Sequence, residues 1–159
     1  MSTGENIAQW LAAGLVLVLI LGRAKKVQAR GIRNNNPGNI KKSSAQWLGK
    51  VPGDDPVFET FDTPENGIRA LARLLLNYER LYGLNTVGGI ISRWAPGSEN
   101  DTGAYVGFVA DRLGVAAVDT VIDVRAELPF LVAAIIKYEN GTQPYSLATL
   151  QAGIDRAVA

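Results

Sequence analysis

Cysteine and histidine are both absent from the 159 residues of this chain, and methionine occurs once. Without cysteine there is no disulfide framework, no thiolate nucleophile and no cysteine-ligated zinc. Without histidine, Ser-His-Asp triads, Cys-His pairs and the usual histidine-held zinc of peptidases and amidases are excluded as well. A hydrolase or lyase of this composition, working at neutral pH, has to move its protons mainly through carboxylates. Charge bias is also missing: 16 Lys and Arg stand against 15 Asp and Glu, a net charge of +1. The whole chain therefore carries no electrostatic signal for nucleic acid, and neither a nucleic-acid partner, a metal nor a cofactor is expected. What is present is apolar residue, 47% of the chain, enough for the core of one domain with an appendage.

The appendage is amino-terminal. Ile7 to Gly22 is an almost unbroken apolar run, with Trp10 near one end and Arg23, Lys25, Lys26 and Arg30 beyond the other. Glu5 precedes the run and the cations follow it, the reverse of a secretory signal peptide. This order predicts an uncleaved transmembrane helix through residues 7–22, with a cleaved signal or a buried core helix as the alternatives. The positive-inside rule then places the rest of the chain on the cytoplasmic side of a cellular membrane. Arg23 to Arg30 reads as juxtamembrane charge facing lipid head groups. Two units follow: an anchor with its basic segment at 1–30, and a folded domain at 31–159.

The domain opens with G-I-R-N-N-N-P-G-N-I at residues 31–40. Consecutive asparagines pack poorly but tolerate left-handed backbone, Pro37 fixes its own φ and Gly38 has no Cβ, so Asn34 to Gly38 is expected to form a tight, specific loop anchored by Ile32 and Ile40. Its carboxamides suit sugar hydroxyls and N-acetyl groups, and a polar turn without a ligand explains them equally well. From Asn39 to Phe61 the sequence predicts a small sheet, with N-I-K-K, Q-W-L-G-K-V and V-F-E-T-F separated by turns. Alternation puts Glu59 on a face with Val57 and Phe61, either as an edge-strand charge or as a buried acid with a raised pKa.

Helices follow. Thr63-Pro64-Glu65 starts one that Gly83 ends; Thr86 starts a short one stopped before Pro96; Asp101-Thr102 starts another, ended by Gly114. Asp123 precedes a strongly apolar helix that closes on Glu139-Asn140-Gly141, and residues 146–157 form a last amphipathic helix. A small sheet followed by a helical bundle predicts an α+β domain. Among the acids, Asp54 and Asp55 read as turn residues and Asp101 as a helix cap. Glu139 stands apart, because it ends the most apolar helix, where the macrodipole favours a cation. Such an acid tends to stay protonated and suits a general acid, although a solvated last-turn Glu fits the spacing too.

The first motif, together with W-L-G, F-E-T-F, P-E-N-G-I-R-A-L and R-W-A-P-G-S-E-N-D-T-G-A-Y-V, resembles a family of short phage and prophage proteins related to virion structural proteins and peptidoglycan-degrading, lysozyme-like domains. N-P-G-N-I, W-L-G and F-E-T-F also resemble, more weakly, a pattern of bacterial glucosaminidases whose catalytic Glu lies upstream. Here the only upstream acid is Glu5. L-V-A-A-I-I-K-Y-E-N-G in turn looks like the helix of goose-type lysozymes and lytic transglycosylases that ends in the catalytic Glu. These resemblances imply a lysozyme-like fold, circularly permuted if the catalytic helix comes last.

They also imply the chemistry. Glu139 would protonate the glycosidic oxygen of peptidoglycan and then take a proton from the muramyl C6 hydroxyl to close an anhydro ring. A hydrolytic route needs a second carboxylate about 5 Å away for retention, or about 6.5–9.5 Å for inversion. Glu59 is the first choice for it and Glu99 the second. Asn36, Asn39, Trp47, Glu99 and Tyr105 make up the expected substrate-binding set, with core packing an equal explanation for Trp47 and Tyr105. The expectation is thus a virion-associated lytic transglycosylase or muramidase, anchored in an internal viral membrane beside other virion proteins and opening the cell wall during infection. The alternative is a non-catalytic virion structural or glycan-binding protein.

Overall fold

A computed structural model describes residues 28–97, 101–116 and 118–159 of the chain. In chain order the elements are α1 (Arg30–Arg33), β1 (Lys50–Val51), β2 (Thr60–Phe61), α2 (Pro64–Tyr82), α3 (Val87–Trp94), α4 (Thr102–Leu113), α5 (Leu128–Asn140) and α6 (Leu147–Val158). The helix starts follow local chemistry. The side chains of Thr63, Thr86, Asp101 and Ser146 each accept a backbone N–H in the first turn of α2, α3, α4 and α6. Gly83, Gly114 and Gly141 close α2, α4 and α5 in the left-handed conformation.

Helix α2 is the spine. Ile68, Leu71 and Leu75 on its buried side are fully enclosed, and its most extensive partner is α6, which contributes Leu150 and Ile154. Leu128, Leu131, Ile135 and Ile136 of α5 complete the core, joined by Tyr105 and Val109 of α4. Burying one such Leu or Ile contributes about 1.5–3 kcal/mol, so these four helices define the domain's stability.

This arrangement corrects the α+β, lysozyme-like expectation. The described residues are predominantly helical, and the sheet is a single antiparallel pair in which Lys50 faces Phe61 and Val51 faces Thr60. An isolated bridge joins Lys41 and Phe58. The sheet is this small because side chains take the backbone partners a longer ladder would use. Asn36 stands between Ile40 and Glu59, its Oδ1 accepting from Ile40 N and its Nδ2 donating to Glu59 O, both at 2.9 Å, and Asp55 Oδ1 accepts from Val57 N at 3.0 Å and Phe58 N at 2.9 Å. Neither the lysozyme-like sheet-and-bundle arrangement nor its permutation describes this domain. No helix among the described residues is long and apolar enough to cross a membrane, and the span expected at residues 7–22 lies outside the described residues.

Arg30, read from the sequence as juxtamembrane charge, belongs to the folded unit. Its guanidinium meets Asp55 in a two-point pair, Nε to Oδ2 at 2.5 Å and Nη2 to Oδ1 at 2.6 Å, and lies 4.5 Å over the Phe58 ring. Asn34 Nδ2 adds a bond to Asp55 at 2.8 Å. Asp55 is therefore far more than a turn residue. The Arg30 hydrogen bonds, joined by the backbone N–H groups of Phe58 and Val57, hold its carboxyl well below the usual aspartate range. A depressed folded pKa contributes stability that is present above the unfolded value of about 3.9 and is lost as pH falls through the folded one. Wild-type melting temperature is expected to drop steeply below about pH 4. Asp55→Asn should melt lower than wild type at pH 7 and show a shallower acid limb; an equally steep limb in both would exclude this pair as its source.

Candidate active site

Four segments meet at the carboxy-terminal end of α5. The 31–40 loop arrives first, shaped by two non-glycine residues in left-handed conformation, Asn35 at φ 49° and Asn39 at φ 51°. Asn36 is fully buried and spends its carboxamide inside the loop, its Nδ2 also donating to Ile40 O at 2.9 Å. The loop is tied to α5 by Asn140, whose Nδ2 donates to Pro37 O at 2.7 Å and to Ile136 O at 2.9 Å. At Gly31 the approach is so close that a Cβ would stand 2.6 Å from Asn140 Oδ1 and 2.7 Å from Asn39 Oδ1. A side chain at position 31 would push apart the two asparagines that join loop and helix.

This docking brings Asn39 to Glu139 across 100 residues of sequence, Nδ2 to Oε2 at 3.0 Å. The other carboxylate oxygen, Oε1, accepts from Trp94 Nε1 at 3.1 Å and from Tyr105 OH at 3.0 Å. Glu139 therefore ends its helix with three donors around it, supplied by the loop, α3 and α4. They offset the negative end of the α5 dipole, which alone disfavours a carboxylate there. Tyr105 is held in turn by stacking on Tyr138, with ring centroids 3.7 Å apart and planes at 14°. Burial, followed by the neighbouring Glu139 charge, pushes the Tyr105 phenol well above the usual tyrosine range, so it stays a donor.

Glu139 and Asn39 line an open cleft of about 420 Å³, with Ile40, Phe58, Leu74, Tyr78, Trp94 and Pro96 providing apolar surface and Lys41 and Arg93 providing charge. Among the described residues Glu139 is the acidic side chain on this cleft. No group of acids among the described residues could hold a metal ion.

Over 131 residues the chain is 47% identical to protein P5 of Pseudoalteromonas phage PM2, an alignment covering 80% of this chain and 81% of that protein. The chain belongs to the family of that phage protein. No family profile matches it. Kinship with phage P5 agrees with the phage side of the resemblance carried by the 31–40 motif, while the name P5 states no activity.

In this P5 relative the expected site residues separate. Asn39 and Glu139 share the cleft, and Tyr105 sits behind Glu139 as a buried donor to it. Asn36 is interior scaffolding. Trp47 is half-buried against the core and does not line the cleft. Glu99 lies outside the described residues. Glu59 is buried rather than on a sheet rim, and its Oε1 accepts from Lys50 Nζ and from Ser43 N, both at 2.9 Å. It lies off the Glu139 cleft and binds the 41–50 segment to the sheet. Glu59→Gln is expected to lower the unfolding free energy by roughly 1–3 kcal/mol in chemical denaturation, because Lys50 and Ser43 lose a charged acceptor. A variant as stable as wild type would show that this buried pair contributes nothing.

Sequence reasoning passed over Trp94, Tyr138 and Arg93. Trp94 was legible as the last helical residue before A-P-G, a position where a side chain is free to leave the helix surface and reach another element. Tyr138, immediately before Glu139, gave no signal apart from its neighbour.

Proposed function

We propose that this P5-family protein cleaves the glycan backbone of peptidoglycan by an intramolecular, transglycosylase-type route, and that it is carried in the virion to open the cell wall during infection. The observation that carries the reading is the carboxylate of Glu139, positioned by Asn39, Trp94 and Tyr105 at the edge of an aromatic-lined cleft. Sugars offer apolar ring faces and many hydroxyls, and aromatic walls with a few convergent polar groups suit both.

One carboxylate is enough for this reaction. Glu139, protonated, gives its proton to the glycosidic oxygen as the bond to C1 of the muramyl residue breaks. The resulting carboxylate takes the proton of the C6 hydroxyl as that oxygen bonds to C1. Atoms and charge balance without water, and the product is a 1,6-anhydro ring. Trp94 and Tyr105 stabilise the transient carboxylate, and Asn39 fixes its rotation. A two-carboxylate hydrolysis would need a second acid across the scissile bond.

The test is digestion of purified peptidoglycan by the full-length chain, with mass spectrometry of the products. Anhydro-muramyl ends, retained by Glu59→Gln at a temperature where that variant is folded, support the reading. Reducing ends would replace it with hydrolysis. A second reading, a non-catalytic virion structural or glycan-binding protein, draws on the same three hydrogen bonds, which also make Glu139 a strut joining loop, α3, α4 and α5. A folded wild-type chain that releases no products would establish that second reading.

A further inference from the structure

The Glu139 cleft continues past Tyr78, Arg93 and Pro96 into an adjoining, more open depression of about 750 Å³ that also includes Tyr82. At the junction the Arg93 guanidinium lies 3.6 Å over the Tyr82 ring and 5.2 Å over the Tyr78 ring. Tyr78 and Tyr82 are themselves in edge contact, with centroids 6.5 Å apart, and Tyr78 also packs against Trp94 at 6.5 Å. Arg93 is exposed, and among the described residues it meets these two rings and no carboxylate.

A solvent-facing arginine ordinarily samples many rotamers, and immobilising it on binding costs side-chain entropy. Stacking on two aromatic faces removes much of that freedom in advance and leaves the N–H edges free, the geometry that meets a carboxylate in two parallel hydrogen bonds. Arg93 adjoins Trp94 in sequence, and Trp94 hydrogen-bonds Glu139. Arg93 and Glu139 line the same cleft, so one extended ligand lying along it reaches both.

We infer that the Tyr78–Tyr82–Arg93 surface is a second binding subsite, which takes a carboxylate carried on the peptide substituent of the glycan. The inference rests on the peptidoglycan reading of the Glu139 cleft and adds a substrate preference to it: strands that keep their stem peptides over bare glycan. Aromatic faces alone would hold either strand. The fixed cation separates them.

The experiment compares binding of soluble peptidoglycan strands with intact stem peptides and the same strands after amidase removal of the peptides, with the lactyl carboxylates that this exposes capped as methylamides. The full-length chain is used, and binding is followed by stopped-flow tryptophan fluorescence before turnover. Wild type is expected to bind peptide-bearing strands roughly three- to tenfold more tightly than bare ones, a preference that weakens with added salt. In Arg93→Gln the two affinities should converge. Arg93→Lys, which keeps the charge but not the planar fork, should retain part of the preference and guards against a folding defect in the first variant. A preference undiminished in a folded Arg93→Gln overturns the subsite and leaves the glycan reading standing. A folded wild type that binds neither strand removes both.

Discussion

Replacing Glu139 by Gln is expected to slow release of anhydro-muramyl products by a factor of about 10²–10⁴, the usual worth of a positioned acid–base group, with little loss of stability. The two effects separate because the site can absorb the substitution. A Gln side chain keeps an oxygen where Glu139 Oε1 accepts from Trp94 and Tyr105, and places an NH₂ where Oε2 faced Asn39 Nδ2. Asn39 Oδ1 is buried without a partner among the described residues, so rotating that carboxamide by half a turn restores an acceptor for the new donor. All three bonds survive, and unfolding should shift by roughly 1 kcal/mol or less. Glu139→Ala lacks this repair and leaves the Trp94 and Tyr105 donors unpaired, which should cost stability as well. The decisive pair of measurements is product mass spectrometry and chemical denaturation on the same preparation. If Glu139→Gln turns over at the wild-type rate, Glu139 is a strut and the transglycosylase reading fails.

The second large effect concerns the backbone beneath the loop. Gly67 lies in the first turn of α2, where helix propensity favours Ala over Gly by about 1 kcal/mol. The tertiary contact reverses that sign. A Cβ at this position would stand 1.8 Å from the carbonyl oxygen of Asn35 and 3.0 Å from Pro37 Cδ. Asn35 cannot simply yield, because its left-handed backbone is fixed and its Nδ2 donates to Phe61 O at 3.0 Å. Gly67→Ala should therefore lift the 31–40 loop off α2, destabilise the domain by roughly 1–3 kcal/mol or more, and draw Asn39 away from Glu139. Gly107 of α4 is the control: nothing lies within 4 Å of its hypothetical Cβ. Gly107→Ala should be neutral or up to about 1 kcal/mol stabilising. Denaturant midpoints for the two variants, with unchanged slopes, test the contrast; a Gly67→Ala protein as stable as wild type would show that the loop does not rest on this helix.

Both effects depend on contacts that join distant parts of the chain, which explains how the sequence reading divided. Helix limits were legible because their causes are local. A Thr, Asp or Ser caps the first turn, a Pro enters at its start, and a Gly turns left-handed after its end, all within four or five residues. The left-handed Asn35, inside the tight loop expected at Asn34 to Gly38, was legible for the same reason, whereas Asn39 was expected to open the sheet and is left-handed instead. The sheet was not, because period-2 alternation in V-F-E-T-F says which side chains share a face but not which groups bond the backbone. Asn36 and Asp55 supplied those bonds, one from about 20 residues upstream of the strand and one from the turn beside it. The α+β expectation leaned on that sheet and fell with it, as did the lysozyme-like fold that the motif resemblances implied.

By itself, then, the sequence determined the exclusions and the parts. With no cysteine or histidine, acid–base chemistry falls mainly to carboxylates, and the capping residues mark out α2, α3, α4 and α6. Tertiary structure alone decided which carboxylate meets a cleft. Glu59 and Glu139 are both acids beside apolar sequence, but Lys50 and the Ser43 backbone occupy one oxygen of Glu59 away from the cleft, while Asn39, Trp94 and Tyr105 hold Glu139 at its edge. Neighbours separated by 34, 45 and 100 residues make that difference, and no local pattern encodes them.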